Sequence, residues 1–170
     1  MSSKPDIQRP PLSAERIVAT GDLVALPVPL IGNTARPLEY PATLERVLGL
    51  QALVYLPGHG PVMRDDAPVR RVLALVKAIR DGVKASVAAG ETLEETRRRV
   101  DLAAFRESFA GTSRWRGTLF DMYVVQPALE AAWRQAHEAT IGTSAWAIAR
   151  SSRCLTVCAS ASRPRRCRHS

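Results

Sequence analysis

Cysteine is missing from most of this chain: Cys154, Cys158 and Cys167 all fall in the last seventeen residues. A disulfide framework for the main body is therefore excluded. Long apolar runs are missing too. The longest candidate, Leu23 to Ile31, is interrupted by Pro27 and Pro29, and it falls well short of the roughly 20 apolar residues that cross a bilayer. No membrane association is expected. The opening stretch MSSKPDIQRPPLSAER has neither an apolar core nor a small-residue cleavage site, so no secretion signal is read and a cytoplasmic location follows as the default. Acidic residues are absent from positions 140–170, which hold six Arg, while the residues before them hold 18 Lys+Arg against 16 Asp+Glu. The formal net charge of +8 is thus mostly a property of the tail. Nucleic-acid binding, which a sequence pI near 10.2 would suggest, is then a statement about those residues and not about the folded surface.

What is present suits one domain, since 170 residues with 46% hydrophobic content can bury a real core. Residues 1–13 carry three prolines and no period, and read as an irregular leader. Arg16 to Thr20 and Leu23 to Val28 are short, β-branched and apolar. They predict two strands around a Gly21-Asp22 turn, with Pro27 and Pro29 placing the second at an edge or ending it early. Ala42 to Leu50 spaces Leu44, Val47 and Leu48 on one helical face with Pro41 in the first turn. Leu53 to Leu56 reads as a buried strand stopped by Pro57-Gly58. Strand, helix and strand together predict an α/β layer.

From Ala67 the period changes. Val69, Val72, Leu73, Val76, Ile79, Val83 and Val87 predict a long amphipathic helix ended by Gly90. Thr92 and Glu95 have capping-box spacing and open a second helix through Val100, whose Arg97-Arg98-Arg99 reads as an outer face. Ala103 to Phe109 and Leu119 to Ala136 extend the helical signal, with Phe105, Phe109, Phe120, Tyr123, Leu129 and Trp133 inward and Pro127 kinking or dividing the last segment. Trp115, like Tyr123 and Trp133, reads as a core or helix-packing residue. Beyond about Thr140 no period survives, and the abrupt change to Ser, Arg and Cys is the composition that a shifted reading frame in a GC-rich gene would produce.

Two motifs could carry chemistry. Pro57-Gly58-His59-Gly60-Pro61 sets a histidine between glycines at the end of an apolar strand. It is either a tight turn that holds a histidine or a metal ligand or acid/base group. Gly21-Asp22 puts a carboxylate at the end of an earlier strand, where Asp ordinarily bonds to its own loop. Together, over residues 14–66, the two motifs resemble the metallo-β-lactamase superfamily, in which a Gly-Asp carboxylate bridges two metals and a later strand runs into Pro-Gly-His-Gly-Pro. The resemblance implies an α/β fold, here a partial αββα sandwich, followed by a C-terminal helical extension over 67–139. It also implies a zinc-dependent hydrolase acting on a small-molecule ester, amide, thioester or phosphodiester, with Asp22 and His59 as metal ligands.

The family's His-x-His-x-Asp-His cluster has no counterpart, because the remaining histidines are His137 and His169. A catalytic zinc needs three protein ligands and an open position. The expectation is therefore an N-terminally truncated member, inactive alone unless a partner chain supplies the missing ligands, with an uncovered apolar sheet face that makes it prone to aggregate. The alternatives are a non-catalytic helical interaction module over 67–136 and a nucleic-acid-binding basic tail. Cys154, Cys158, Cys167 and His169 could form a tail zinc site, but their spacing does not match paired knuckles.

Overall fold

A computed structural model describes residues 16–140 of the chain. Of these, residues 16–136 belong to one compact unit and residues 137–140, which are helical, to another. The tail cysteines, His169 and the arginine run lie outside the described residues, as does the leader up to residue 15.

The order of elements follows the hydrophobic period closely. It runs β1 (Ile17–Ala25), α1 (Tyr40–Gly49), β2 (Val54–His59), α2 (Ala67–Ala88), α3 (Leu93–Arg99), α4 (Ala103–Ala110) and α5 (Arg114–Phe120). A π-helical turn, Asp121–Val125, then leads into α6 over residues 126–136. The strands are parallel, with Val18 opposite Tyr55 and Ala19 opposite Leu56. A parallel pair needs a crossover, and α1 supplies it. The fold is mixed α/β, but the sheet has two strands, and neither a second sheet nor a sandwich is present among the described residues.

Two strand expectations are corrected. Arg16 to Thr20 and Leu23 to Val28 are not separate strands around a turn, because Ile17 to Ala25 runs through as one strand. Gly21, at φ +50°, absorbs an irregularity in the ladder, and pairing resumes as Gly21 to Pro57 and Ala25 to His59. A glycine inside a strand pattern signals such a bulge as readily as a turn. The strand stops before Pro27, as the missing donor requires. Residues 53–56 are likewise not a buried strand: Tyr55 is 1% exposed, but Leu53 is 55% and Leu56 39% exposed. β2 also continues through Pro57 and Gly58 to His59.

The two strands therefore bury one face only. Val18, Thr20 and Tyr55 turn inward, while Ile17, Ala19 and Leu56 form an open apolar face. An uncovered face of this kind drives association. Replacing Leu53 and Leu56 together by lysine is expected to reduce light scattering on concentration while leaving stability within about 0.5 kcal/mol, as exposed substitutions do. Unchanged association in the double variant would assign the self-association to another surface.

The helical part packs where the period predicts. In α2, Val69, Val72, Val76, Ile79 and Val83 are fully buried as expected, whereas Leu73 and Val87 are only partly buried and Leu75, outside the expected stripe, is fully buried. Its end is a Schellman motif: Gly90, at φ +76°, donates to Val87 O at 3.0 Å, and the Glu91 N–H donates to Ser86 O at 3.0 Å. The Thr92–Glu95 capping box forms as expected, closing α3 at its start. One continuous cluster joins Val24, Leu44 and Tyr55 of the α/β layer to Ile79, Phe120 and Leu129 of the helices.

The last segment stays helical through Pro127, and a π-helical turn falls just before it. Proline has no N–H to give the carbonyl four residues back, which is that of Tyr123. The Ile31 N–H donates to Tyr123 O instead, at 3.0 Å, and so pins the loop after β1 to the helices. The π turn also shifts the phase of the buried stripe: Val124 is fully buried and Tyr123, expected inward, is 43% exposed. Trp115, expected in the core, is 68% exposed. The core position of its helix goes to Phe120. Arg97 is half-turned inward, paired with Glu94 and, at 3.5 Å, with Glu130, whereas Arg98 and Arg99 keep the outer face expected for the run.

Candidate functional site

The two residues singled out by motif lie on different strands and meet at one place. Asp22 sits just past the bulge at Gly21, and His59 ends β2. Parallel strands deliver both residues to the same end of the sheet, where loops and ligands gather. The Leu26 N–H donates to His59 O at 3.0 Å, which ties the two chain segments together beyond the last ladder pair. His59 Nε2 lies 3.5 Å from Asp22 Oδ1. Both side chains remain largely open to solvent, at 63% exposure for His59 and 71% for Asp22.

The flanking glycines have separate steric causes. A side chain at Gly58 would place its Cβ 2.1 Å from Asp22 Oδ1 and 2.9 Å from the Gly21 carbonyl carbon. At Gly60, where φ is +99°, a Cβ would fall 2.8 Å from both Cβ and the carbonyl oxygen of Leu26. The first glycine leaves room for the Asp22 carboxylate, and the second lets the chain turn against β1. The Gly-His-Gly pattern is thus what brings the histidine to the carboxylate.

The separation of 3.5 Å is long for a hydrogen bond. It suits two donors of one ion: zinc bound to nitrogen and oxygen at about 2.0–2.2 Å in a tetrahedron sets its ligands roughly 3.4 Å apart. That spacing is shared by two donors of one ion and by an ordinary surface carboxylate–imidazole contact. A third position is not supplied nearby, for no group of three or more His, Cys, Asp or Glu suited to a metal occurs among the described residues.

Sequence reasoning did not find Tyr40, which stands beside this pair. Its hydroxyl donates to Leu23 O at 2.6 Å. Burial, with a smaller push from the Asp22 carboxylate, raises the phenol from its ordinary value near 10 to about 12. A group whose pKa is raised in the fold stabilises it below the unfolded value and loses that contribution as pH climbs through the folded value. Stability is therefore expected to fall between about pH 10 and about pH 12. Tyr55, also raised chiefly by burial, falls in the same direction. In Tyr40→Phe the alkaline loss should shrink, and denaturant midpoints measured at pH 8, 10 and 11.5 check this. Equal alkaline losses in both proteins would remove Tyr40 from the account.

Asp22, Leu23, Leu30, Arg36, Glu39 and Tyr40 help to line a cleft of about 450 Å³. A second cleft of about 420 Å³ runs past Leu30, Asn33, Arg97, Met122, Tyr123 and Glu130. The signal that could have found this second wall is Pro127, because the carbonyl it leaves free is the one that holds the Leu30–Ile31 loop.

No family model matches this chain, and no curated protein matches it.

Proposed function

We propose that the chain is part of a zinc-dependent hydrolase of the metallo-β-lactamase type, with Asp22 and His59 as two ligands of its metal centre and the remaining donors supplied by a second polypeptide. The observation that carries this reading is the 3.5 Å approach of His59 Nε2 to Asp22 Oδ1 at the shared end of two parallel strands. Gly58 and Gly60 support it, since the chain excludes a Cβ at both positions where one would push the pair apart. The open apolar face of the same two strands supports the second half of the reading, because a completing polypeptide would cover Ile17 and Leu56 while bringing its own donors.

When bound, the metal would lower the pKa of a coordinated water toward neutrality and so supply a hydroxide nucleophile for a small-molecule substrate. This chain's own part is to hold one edge of that centre. Asp22 offers a carboxylate oxygen, His59 offers Nε2, and the tied backbone at Leu26 fixes their spacing.

Structural zinc sites with four ligands bind with about 10–16 kcal/mol, so two ligands should give roughly half of that. Titrating zinc into the full chain, with Cys154, Cys158 and Cys167 replaced by serine so that the tail does not take up the ion, is expected to show one weak site, with Kd on the order of 10–100 µM. His59→Ala should weaken it by tenfold or more. Identical titrations of wild type and His59→Ala would mean that the pair is an ordinary surface contact and that the hydrolase reading is wrong for this chain.

A further inference from the structure

We infer that the outer side of α5 and the π-helical turn is a contact for an anionic membrane surface. Trp115 and Met122 enter the boundary between headgroups and acyl chains, and Arg114 and Arg116 pair with the headgroups. The inference is independent of the metal centre. At 68% exposure, Trp115 is the most exposed large apolar side chain among the described residues. An indole left at the surface is informative, because a ring of that size ordinarily goes to a core or to an interface.

The local structure turns these residues outward. Ser113 caps α5 by accepting from the Arg116 N–H, and Gly117 and Phe120 take the buried side of the helix. Gly117 is closed to a side chain, since a Cβ there would fall 2.5 Å from Arg106 Nη2, and Arg106 is itself bound to both carboxylate oxygens of Asp121. Trp115, Leu119 and Met122 follow at spacings of four and three, so they share one side of the helix. Leu119 is partly buried, and Met122, in the π turn, is 53% exposed. Arg114 and Arg116 are exposed on either side of the indole, and neither side chain makes a hydrogen bond or ion pair with the described residues. The result is a short apolar row between two uncompensated cations.

Charge selects what meets this row. The chain's own residues 140–170 hold six Arg and no acid, so they carry the wrong sign. A second copy is disfavoured too, because a two-fold contact sets a patch against itself and would bring four arginines together. The occupant is therefore anionic. A nucleic-acid strand would use the arginines and the indole but leave Leu119 and Met122 without a role, and base binding along a strand uses successive aromatic platforms. An anionic bilayer surface takes every part: arginines at the headgroups, the indole at their level, and the thioether and leucine facing the acyl chains. No described helix is long and apolar enough to cross a membrane, so the contact lies at the surface, which the missing apolar run in the sequence did not address.

The test mixes the full chain with phosphatidylcholine vesicles, with and without about 30% phosphatidylserine, whose brominated acyl chains quench a tryptophan that reaches them. Wild type should sediment with the anionic vesicles and be quenched, bind the neutral ones far less, and be released by added salt. Trp115→Ala should lose most of the quenching with an unchanged thermal midpoint, although Trp133 and Trp146 remain. Arg114→Gln with Arg116→Gln should weaken partition at least tenfold, each arginine contributing about fivefold. The arginines of the tail can bind anionic vesicles by themselves, so sedimentation alone does not support the inference. Equal quenching of Trp115→Ala and wild type, or equal partition of the double arginine variant, would assign the contact to another surface and overturn it. An absence of quenching on anionic vesicles would also overturn it, and Trp115-dependent binding of an oligouridylate in that case would make the partner a nucleic-acid strand.

Discussion

Replacing Gly60 by alanine is expected to cost about 3 kcal/mol of stability and to abolish zinc binding at the same time. Two effects combine at this residue. Its φ of +99° lies in the region that an L side chain rarely adopts, and the added Cβ would sit 2.8 Å from the carbonyl oxygen of Leu26. Neither strain can relax by separating the segments, because the Leu26 N–H is bonded to His59 O at 3.0 Å. Relief must come from breaking that bond or tilting the end of β2, and either movement carries His59 away from Asp22. Gly49→Ala is the control, since its Cβ would meet nothing within 4 Å. It should leave stability unchanged or slightly raised, as alanine does near a helix end. Urea midpoints for the two variants decide the matter, and a Gly60→Ala midpoint matching wild type would show that the turn is not held as described.

Phe120→Ala should cost more, about 3–5 kcal/mol. The ring is fully buried and stacks on Phe109 with centroids 5.8 Å apart, and the Arg71 guanidinium lies 4.5 Å above the Phe109 ring. Removing Phe120 therefore leaves a cavity and also frees Phe109, which holds the arginine. Domains of ordinary stability have about 5–15 kcal/mol in total, and this one leaves a sheet face open. Phe120→Ala is expected to lose its cooperative thermal transition, while Phe105→Ala, at a partly buried position, should keep one with a lowered midpoint. A cooperative melt of Phe120→Ala close to that of wild type would mean that the helices do not depend on this contact.

Much of the helical part was legible because its signals are local. The spacing of apolar residues in α2, the Thr92–Glu95 box and Gly90 each act within one or two turns, and each appears where the sequence puts it. The strands were less legible because Gly21 is compatible with a turn and with a bulge, and only the pairing to Pro57 decides between them. Leu53 and Leu56 read as buried because an apolar run carries no information on which of its faces finds a partner. Tyr123 failed for a related reason: the π-helical turn alters the angular step between residues, so a stripe extrapolated at the α period leaves the core, whereas Trp115 lies before that turn and was read inward from its residue type alone.

At the site, the family resemblance marked Asp22 and His59 as ligand candidates, and the sequence set each beside a strand; in the structure Asp22 lies within β1 and His59 ends β2. The distance between them was not legible, because it depends on a parallel register and on the tie at Leu26. Tyr40 and the clefts beside Leu30 were invisible for the same reason. Both are made by residues far apart in the chain, with Tyr40 bonding back to Leu23 and Ile31 to Tyr123.

The central claim is that Asp22 and His59 act on one ion, and a double-mutant cycle on zinc affinity tests it most directly. Asp22→Ala, His59→Ala and the double variant are titrated with zinc under the same conditions as wild type. If the two side chains share an ion, each single variant should lose at least tenfold and the double variant little more than either, since removing one ligand already destroys the site. Losses that simply multiply in the double variant, or no loss in any of the three, would contradict the account.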